Sequence, residues 1–229
     1  MEPGNRALDD YVLDLTGVDR PRVCFVPTAS GDADHYIVRF YRAFPATLCE
    51  PSHISLFRRD KGCGVDADVA AHLLAQDLIY VGGGSVVSLL GVWRAHGIDE
   101  VLRACWLQGT VLCGLSAGSL CWFAEAITAF HGSPCRIEAL GLLPWSNCVH
   151  YDGEPARRTS YLDAVLDGMA PGYAAEDGAA LHFVGSELER VVGSRPSARA
   201  FRVEAVDGAA RETPLAVQCL RQAPGLVAA

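Results

Sequence analysis

Lysine is almost absent from this sequence. Lys61 is the only one, and it lies in the charged stretch 58–62. A P-loop needs a lysine after its glycines and a Schiff-base enzyme needs a buried one, so Lys61 argues against both classes. Positive charge is scarce as well, with 19 Lys and Arg against 27 Asp and Glu. Because phosphate binding requires a basic surface, nucleic acid is not an expected partner.

Paired cysteines and long apolar runs are also missing. The nine cysteines are scattered, none stands in a C-x-x-C pair, and several lie within apolar runs. A free cysteine there behaves as a small hydrophobic residue, so neither a disulfide framework nor a metal site is expected. No uninterrupted apolar run of about 18 residues predicts a membrane span, and the first residues do not resemble a signal peptide. We therefore expect a cytoplasmic protein.

Half of the residues are hydrophobic, which is enough for one well-buried core. Unbroken apolar strands alternate with helices in the first half, which predicts an α/β fold with a mostly parallel sheet covered on both faces. The predicted strands are Arg22–Val26, His53–Phe57, Asp77–Val81 and Thr110–Leu115, and the predicted helices are Asp34–Ala43, Asp66–Ala75, Ser85–Ala95, Asp99–Gln108 and one from about Ala117.

The second half is less regular. A helical pattern precedes four strand patterns separated by turn residues, which predicts an antiparallel extension of the sheet. The helix is predicted over Arg158–Met169 and the strands over Ala179–Val184, Leu188–Val192, Ala200–Val206 and Leu215–Leu220. Since no repeat or low-complexity linker divides the chain, residues 1–229 are expected to form one domain.

The most specific local signal is the pentapeptide Gly114–Gly118, with Ser116 at its centre. A G-x-S-x-G between an apolar strand and a helix is typical of a nucleophile elbow, where a tight turn exposes the serine hydroxyl. The loop Gly82–Gly84 ends the preceding strand. Strand ends of a parallel sheet converge on one crevice, so an amide of this glycine loop and the Ala117 amide would form an oxyanion hole. A phosphate-binding turn or a plain tight loop are the other interpretations of three glycines.

A catalytic serine needs a base, and the sequence offers seven histidines. His150 suits this role because it follows an apolar segment and opens a polar loop, whereas His131 is an alternative and His182 lies inside an apolar strand. The acid that orients the base is left open by the residues alone. The candidates are Asp152, Glu154, Glu176 and Asp177.

Taken in order, the glycine loop, the Ser116 elbow, His150-Tyr151 and Asp177-Gly178 resemble the signature of the peptidase E family (peptidase family S51), which includes the cyanophycinases. The resemblance spans roughly residues 22–181. It implies a three-layer, flavodoxin-like sandwich related to class I glutamine amidotransferases. It also implies a Ser-His-acid triad that needs no metal or organic cofactor.

Carried over to this chain, the resemblance implies Ser116 as nucleophile, His150 as base, and the Gly84 and Ala117 amides as oxyanion donors. It favours Asp177 as the acid and keeps Glu176 as the alternative. It also points to Arg158 for the side chain of a substrate aspartate, with surface arginines at 157 and 158 as the plain interpretation.

The sequence departs from the family pattern in three places. Ser85-Val86 stands where Asn-Thr is frequent, Val149 precedes the histidine in place of proline, and the stretch 128–131 lacks a frequent aspartate. The first two changes affect substrate detail, and the third removes a rival acid. The implied substrate is a short peptide with an N-terminal aspartate.

Three other functions remain open from the sequence. A cyanophycinase-like β-aspartyl peptidase would need a longer cleft, and amidotransferases use cysteine where this chain has Ser116. A non-catalytic binding module of the same fold is the third, and reaction with a fluorophosphonate distinguishes it from an enzyme.

Relatives usually begin with an apolar strand before a helix like the one predicted over Ala7–Leu15. Here no apolar strand precedes Arg22–Val26, so we expect an exposed sheet edge. Another segment, a second copy of the chain in a homo-oligomer, or residues upstream would cover that edge. The plain interpretation is that this branch of the family has a shorter sheet.

Overall fold

The computed structural model describes residues 1–2, 4–57, 67–153 and 155–221. Its first sheet is wholly parallel, as the apolar strands of the first half predict. The strands lie in the order β2-β1-β3-β4, so the chain crosses over between neighbours. Their ranges are β1 (Arg22–Val26), β2 (Glu50–His53), β3 (Leu78–Val81) and β4 (Val111–Gly114).

Helices cover both faces of this sheet. On one face, Phe25 of β1 packs with the buried Phe40 and Phe44, and on the other, Ile79 of β3 packs with the buried Trp93. Alternate residues of each strand thus enter opposite layers, as the period of two requires. The helices are α1 (Ala7–Asp14), α2 (Asp34–Ala43), α3 (Ala67–Leu74), α4 (Val86–His96) and α5 (Ile98–Leu107), with a short 3₁₀ turn at Thr28–Ser30.

The second half forms a six-stranded mixed sheet in the order β12-β11-β8-β7-β5-β6 and a smaller sheet in the order β13-β10-β9. The buried side chains Phe123, Val149 and Tyr173 share one core cluster with Val81 and Leu89 of the first half. The elements are α6 (Ala117–Leu120), β5 (Phe123–Thr128), β6 (Cys135–Glu138), β7 (Leu143–Val149), α7 (Pro155–Leu166), β8 (Gly172–Ala175), β9 (Ala179–Val184), β10 (Glu187–Gly193), β11 (Ala200–Val206), β12 (Ala209–Pro214) and β13 (Val217–Cys219).

The predicted α/β fold class is therefore confirmed, and the antiparallel pairs in the second half are present. The strand expected at His53–Phe57 is wrong in its bounds, because β2 ends at His53. The Asp32 carboxylate accepts hydrogen bonds from the amides of Leu56 (2.6 Å) and Phe57 (2.8 Å), which are thereby withdrawn from sheet pairing. The helix predicted over Arg158–Met169 begins earlier, at Pro155, a residue that suits a first helical turn.

Among the described residues before α1, Glu2 and Asn5 form one isolated β-bridge, and there is no strand. Strand β1 is paired on both sides, by β2 and β3, so the open edges of the parallel sheet are β2 and β4. The expected cover for an edge stays a prediction. No helix in the described ranges is long and apolar enough to cross a membrane.

The junction between β3 and α6 gives a stability prediction. A Cβ at Gly118 would overlap the carbonyl oxygen of Val81, whereas a Cβ at Gly91, on α4, meets nothing within 4 Å. We expect Gly118→Ala to lower the free energy of unfolding by about 3 kcal/mol through overpacking. Gly91→Ala is the matched control and should raise it by up to about 1 kcal/mol through helix propensity. Equal thermal melting temperatures for the two variants would contradict the packing described here.

Candidate active site

Ser116 directly precedes α6, two residues after the end of β4, and has a strained backbone, φ 52° and ψ −117°. Non-glycine residues adopt such a conformation only where the surrounding structure enforces it. The two flanking glycines do so, because a Cβ at Gly114 would overlap the carbonyl of Gly118 and one at Gly118 would overlap Val81. The turn therefore presents the serine side chain at the carboxyl edge of the parallel sheet.

His150 follows the last residue of β7 and also has a positive φ, of 55°. The next amide, that of Tyr151, donates to the carbonyl of Ala175 at the end of β8 (3.2 Å), which fixes the loop against that strand. In this position His150 Nε2 lies 3.0 Å from Ser116 Oγ. The imidazole is thus within hydrogen-bonding distance of the elbow serine.

The other ring nitrogen of His150 lies 2.6 Å from Oδ1 of Asp177. Asp177 is held in turn from two sides, since its amide donates to Asp152 Oδ1 (3.1 Å) and its carbonyl accepts from the Arg195 guanidinium. Ser116, His150 and Asp177 therefore form a continuous chain of hydrogen bonds. Solvent reaches these hydrogen bonds, since 37% of the His150 side chain and 57% of the Asp177 side chain are exposed.

Glu176, the other acid of the pair, faces a different partner. Its carboxylate is buried and binds the Arg199 guanidinium through two contacts, 2.9 Å from Nε to Oε2 and 2.7 Å from Nη2 to Oε1. The Glu176 amide also donates to the Arg199 carbonyl (3.0 Å). This carboxylate ties β8 to the residue before β11 instead of orienting His150. The fourth candidate, Glu154, lies outside the described residues.

The glycine loop lies directly against the elbow. A Cβ at Gly83 would lie 3.3 Å from the Cβ of Ser116, and Gly84 has a φ of 139° with its backbone packed on Ala29. In the described part of the chain, the amides of Gly84 and Ala117 donate to no backbone acceptor. An oxyanion hole requires donors that are not already engaged in this way, and the role of these two amides stays a prediction.

The alternative histidines are engaged elsewhere. His131 Nε2 lies 2.7 Å from Ser85 Oγ, and His182 Nδ1 lies 2.7 Å from the Tyr11 hydroxyl. Burial lowers the pKa of His182, in keeping with a neutral packing residue.

Arg158 binds Glu212 on β12 at 2.7 Å, and its guanidinium carbon lies 5.3 Å from the centre of the Tyr151 ring. Tyr151 also donates to the Glu212 carboxylate. Burial alone would raise the pKa of Glu212, but the hydrogen bonds from Arg158 and Tyr151 hold it below its ordinary value. The hydrogen bond from Arg158 to this carboxylate raises the pKa of the guanidinium. Arg158 thus contacts Tyr151, the residue that follows His150 in the sequence. The hydrogen bonds of the described residues include none from Arg158 to Ser116, His150 or Asp177.

Sequence reasoning missed Glu212, Arg195 and Arg199, which hold Arg158, Asp177 and Glu176. No local signal marks them, because each lies at least 18 residues along the chain from its partner.

The buried cysteines behave as packing residues. Cys24 and Cys121 are buried, and burial raises the pKa of the Cys24 thiol to about 12 and that of Cys121 well above its ordinary value. Neither is a thiolate nucleophile near neutral pH. Cys63 lies outside the described residues, and within them no cluster of three or more His, Cys, Asp or Glu is arranged to hold a metal ion.

Comparison with known proteins shows the family of the chain. The family model described as Peptidase family S51 matches residues 1–191. The chain is 44% identical over 221 residues to "Uncharacterized peptidase YgaJ" of Bacillus subtilis (strain 168), which covers 96% of this chain and 94% of that protein.

Solved structures share the fold at low sequence identity. A peptidase from an acI-B1 Actinobacterium aligns with a TM-score of 0.69 at 17% identity, covering 92% of this chain and 89% of that one. A protein assigned to peptidase E, from Listeria monocytogenes EGD-e, aligns with a TM-score of 0.55 at 15% identity, covering 92% and 95%. With the strand-to-helix serine elbow at the edge of a parallel sheet and a family match over most of its length, the chain belongs to peptidase family S51 and is a serine-type peptidase.

Proposed function

We propose that this peptidase cleaves short peptides, dipeptides with an N-terminal aspartate above all, through a triad of Ser116, His150 and Asp177. The observation that carries the triad is the unbroken chain of hydrogen bonds from the serine hydroxyl through both ring nitrogens to the carboxylate. We place the reaction in the cytoplasm, in keeping with the free cysteines.

His150 accepts the proton of Ser116 as Oγ attacks the peptide carbonyl carbon, and Asp177 stabilises the imidazolium that forms. The amides of Gly84 and Ala117 donate to the oxyanion. The C–N bond then breaks, the proton passes from His150 to the leaving amine, and the acyl group stays on Oγ. His150 then takes a proton from a water molecule as the water oxygen attacks the acyl carbon. When the ester bond breaks, His150 returns this proton to Ser116 Oγ.

Arg158 is the proposed ligand of the substrate aspartate. It lies on the loop-and-helix segment that follows His150, and its contact with Glu212 occupies only part of a guanidinium that has five N–H donors. The planar fork matches a carboxylate in a bidentate way, which an asparagine side chain does not reproduce. In this proposal, Arg158 favours a substrate aspartate over its neutral isostere asparagine.

The nucleophile is tested with Ser116→Ala. We expect the loss of hydrolysis by on the order of 10⁶, as in the best-studied serine triad, together with the loss of covalent labelling by a fluorophosphonate. The hydroxyl does not pack the core, so circular dichroism and the melting temperature should stay close to those of the wild type. Activity retained within about tenfold would refute the assignment.

The acid is tested by pairing Asp177→Asn with Glu176→Gln. The first change removes the carboxylate that orients His150 and should lower kcat by about 10⁴, as in a comparable triad. The second leaves the His150 contact intact and breaks an ion pair with Arg199. It should therefore lower the melting temperature, and it should lower kcat much less than Asp177→Asn does. The opposite ranking in kcat would transfer the role to Glu176.

Specificity is tested with Arg158→Met, which keeps the length of the side chain and removes its charge. We expect KM for Asp-Leu to rise by about tenfold or more while the preference over Asn-Leu narrows. Arg190→Met is the matched control, because Arg190 is exposed and pairs with the adjacent Glu189. An unchanged Asp/Asn ratio in Arg158→Met would show that another group reads the first residue.

A further inference from the structure

A cleft of about 590 Å³ opens beside the glycine loop, within the size range of small-ligand sites. Its walls are largely apolar, formed by Ala29, Phe57, Val92 and Phe130, and its polar groups include Ser85 and His131. We call it the Ser85 cleft. It contains none of the three proposed triad residues.

Two aromatic side chains stand exposed along this cleft. Phe57 is 50% and Phe130 is 58% accessible to solvent, although each is a large apolar group. Exposed hydrophobic residues that line one concave site are typical of a surface that is covered by a ligand. An apolar side chain of modest size would find complementary walls here.

The glycine loop connects this cleft to the position of Ser116. Ser85 directly follows Gly84, its amide donates to the Ala29 carbonyl (2.8 Å), and Gly84 packs on the same carbonyl. Gly83 lies against Ser116. Ser116 thus has the glycine loop and the Ser85 cleft on one side. On its other side it has His150, followed by Tyr151 and the Arg158 guanidinium over the Tyr151 ring.

Two polar groups of the cleft, Ser85 and His131, are hydrogen-bonded to each other. Ser85 is buried, and its Oγ accepts from the Ser88 amide (3.1 Å) and lies 2.7 Å from His131 Nε2. When the Ser85 hydroxyl donates to Nε2, the proton of the neutral imidazole is on Nδ1. His131 then offers an N–H to an anionic or carbonyl oxygen in the cleft.

We propose that the Ser85 cleft binds the residue after the scissile bond, with Phe57 and Phe130 around an apolar side chain and His131 donating to the free C-terminal carboxylate. This inference rests on the proposed function, which puts the aspartate on the Arg158 side and leaves the glycine-loop side to the leaving amino acid. A terminal carboxylate requirement limits the substrate to dipeptides. His131 and Ser85 stand at two of the three places where the chain departs from its family pattern.

The test uses Asp-Leu, Asp-Leu amide, Asp-Ala and Asn-Leu. The wild type should prefer the acid Asp-Leu over its amide by about tenfold in kcat/KM, carried by KM, since a charge-assisted hydrogen bond is lost. His131→Ala should reduce this ratio to about one. Phe57→Ala and Phe130→Ala should each narrow the preference for Asp-Leu over Asp-Ala by several-fold, while His53→Ala, an exposed histidine on β2 outside the cleft, should leave both ratios as in the wild type.

The two proposals fail separately in this panel. An Asp/Asn ratio near one overturns the proposed aspartate specificity and leaves the acid/amide ratio to judge the cleft. If none of the peptides is hydrolysed, the proposed function fails. The preference for Asp-Leu over its amide is then measured as the ratio of their dissociation constants, by calorimetric titration of the wild-type protein. An acid/amide ratio near one in the wild type, or one that His131→Ala does not change, overturns the inference.

Discussion

The close approach of α6 to the ends of β3 and β4 determines the arrangement of the whole site. Only glycine fits at 114 and 118, since a Cβ at either position would overlap backbone. This contact forces Ser116 into its strained conformation, which costs on the order of 1–3 kcal/mol. The same approach brings the glycine loop against Ser116, so the positions of the proposed nucleophile and of the proposed oxyanion donors follow from one packing constraint.

A second constraint holds the proposed acid, Asp177. Glu176 and Asp177 are adjacent, yet each faces a partner of its own, because β8 pairs with β11 up to Ala175 and Ala200. That register brings Glu176 beside Arg199, where a buried carboxylate has a guanidinium to compensate its desolvation. The next residue then turns toward His150. The ion pair with Arg199 is in this way a positioning contact for the chain of hydrogen bonds beside it.

The predictable part of this protein is the part encoded locally. The Ser116 elbow, the glycine loop and the parallel strands are each marked by a few consecutive residues, and the structure has them at or near the predicted bounds. The choice between Glu176 and Asp177 depended on strand register across more than twenty residues, which no local pattern carries. The end of β2 was displaced for a similar reason, since Asp32 captures the amides of Leu56 and Phe57 from a distant loop.

Solvent reaches His150 and Asp177 in the free protein, and this exposure affects how strongly they interact. Two unit charges 4 Å apart attract by about 1 kcal/mol in water and by about 4 kcal/mol at an effective dielectric constant of 20. A peptide lying over the two side chains displaces that water and lowers the local dielectric constant. The bound peptide thereby contributes to the low dielectric constant around the two side chains. The more of the imidazole and the carboxylate it covers, the more strongly these two groups polarise each other.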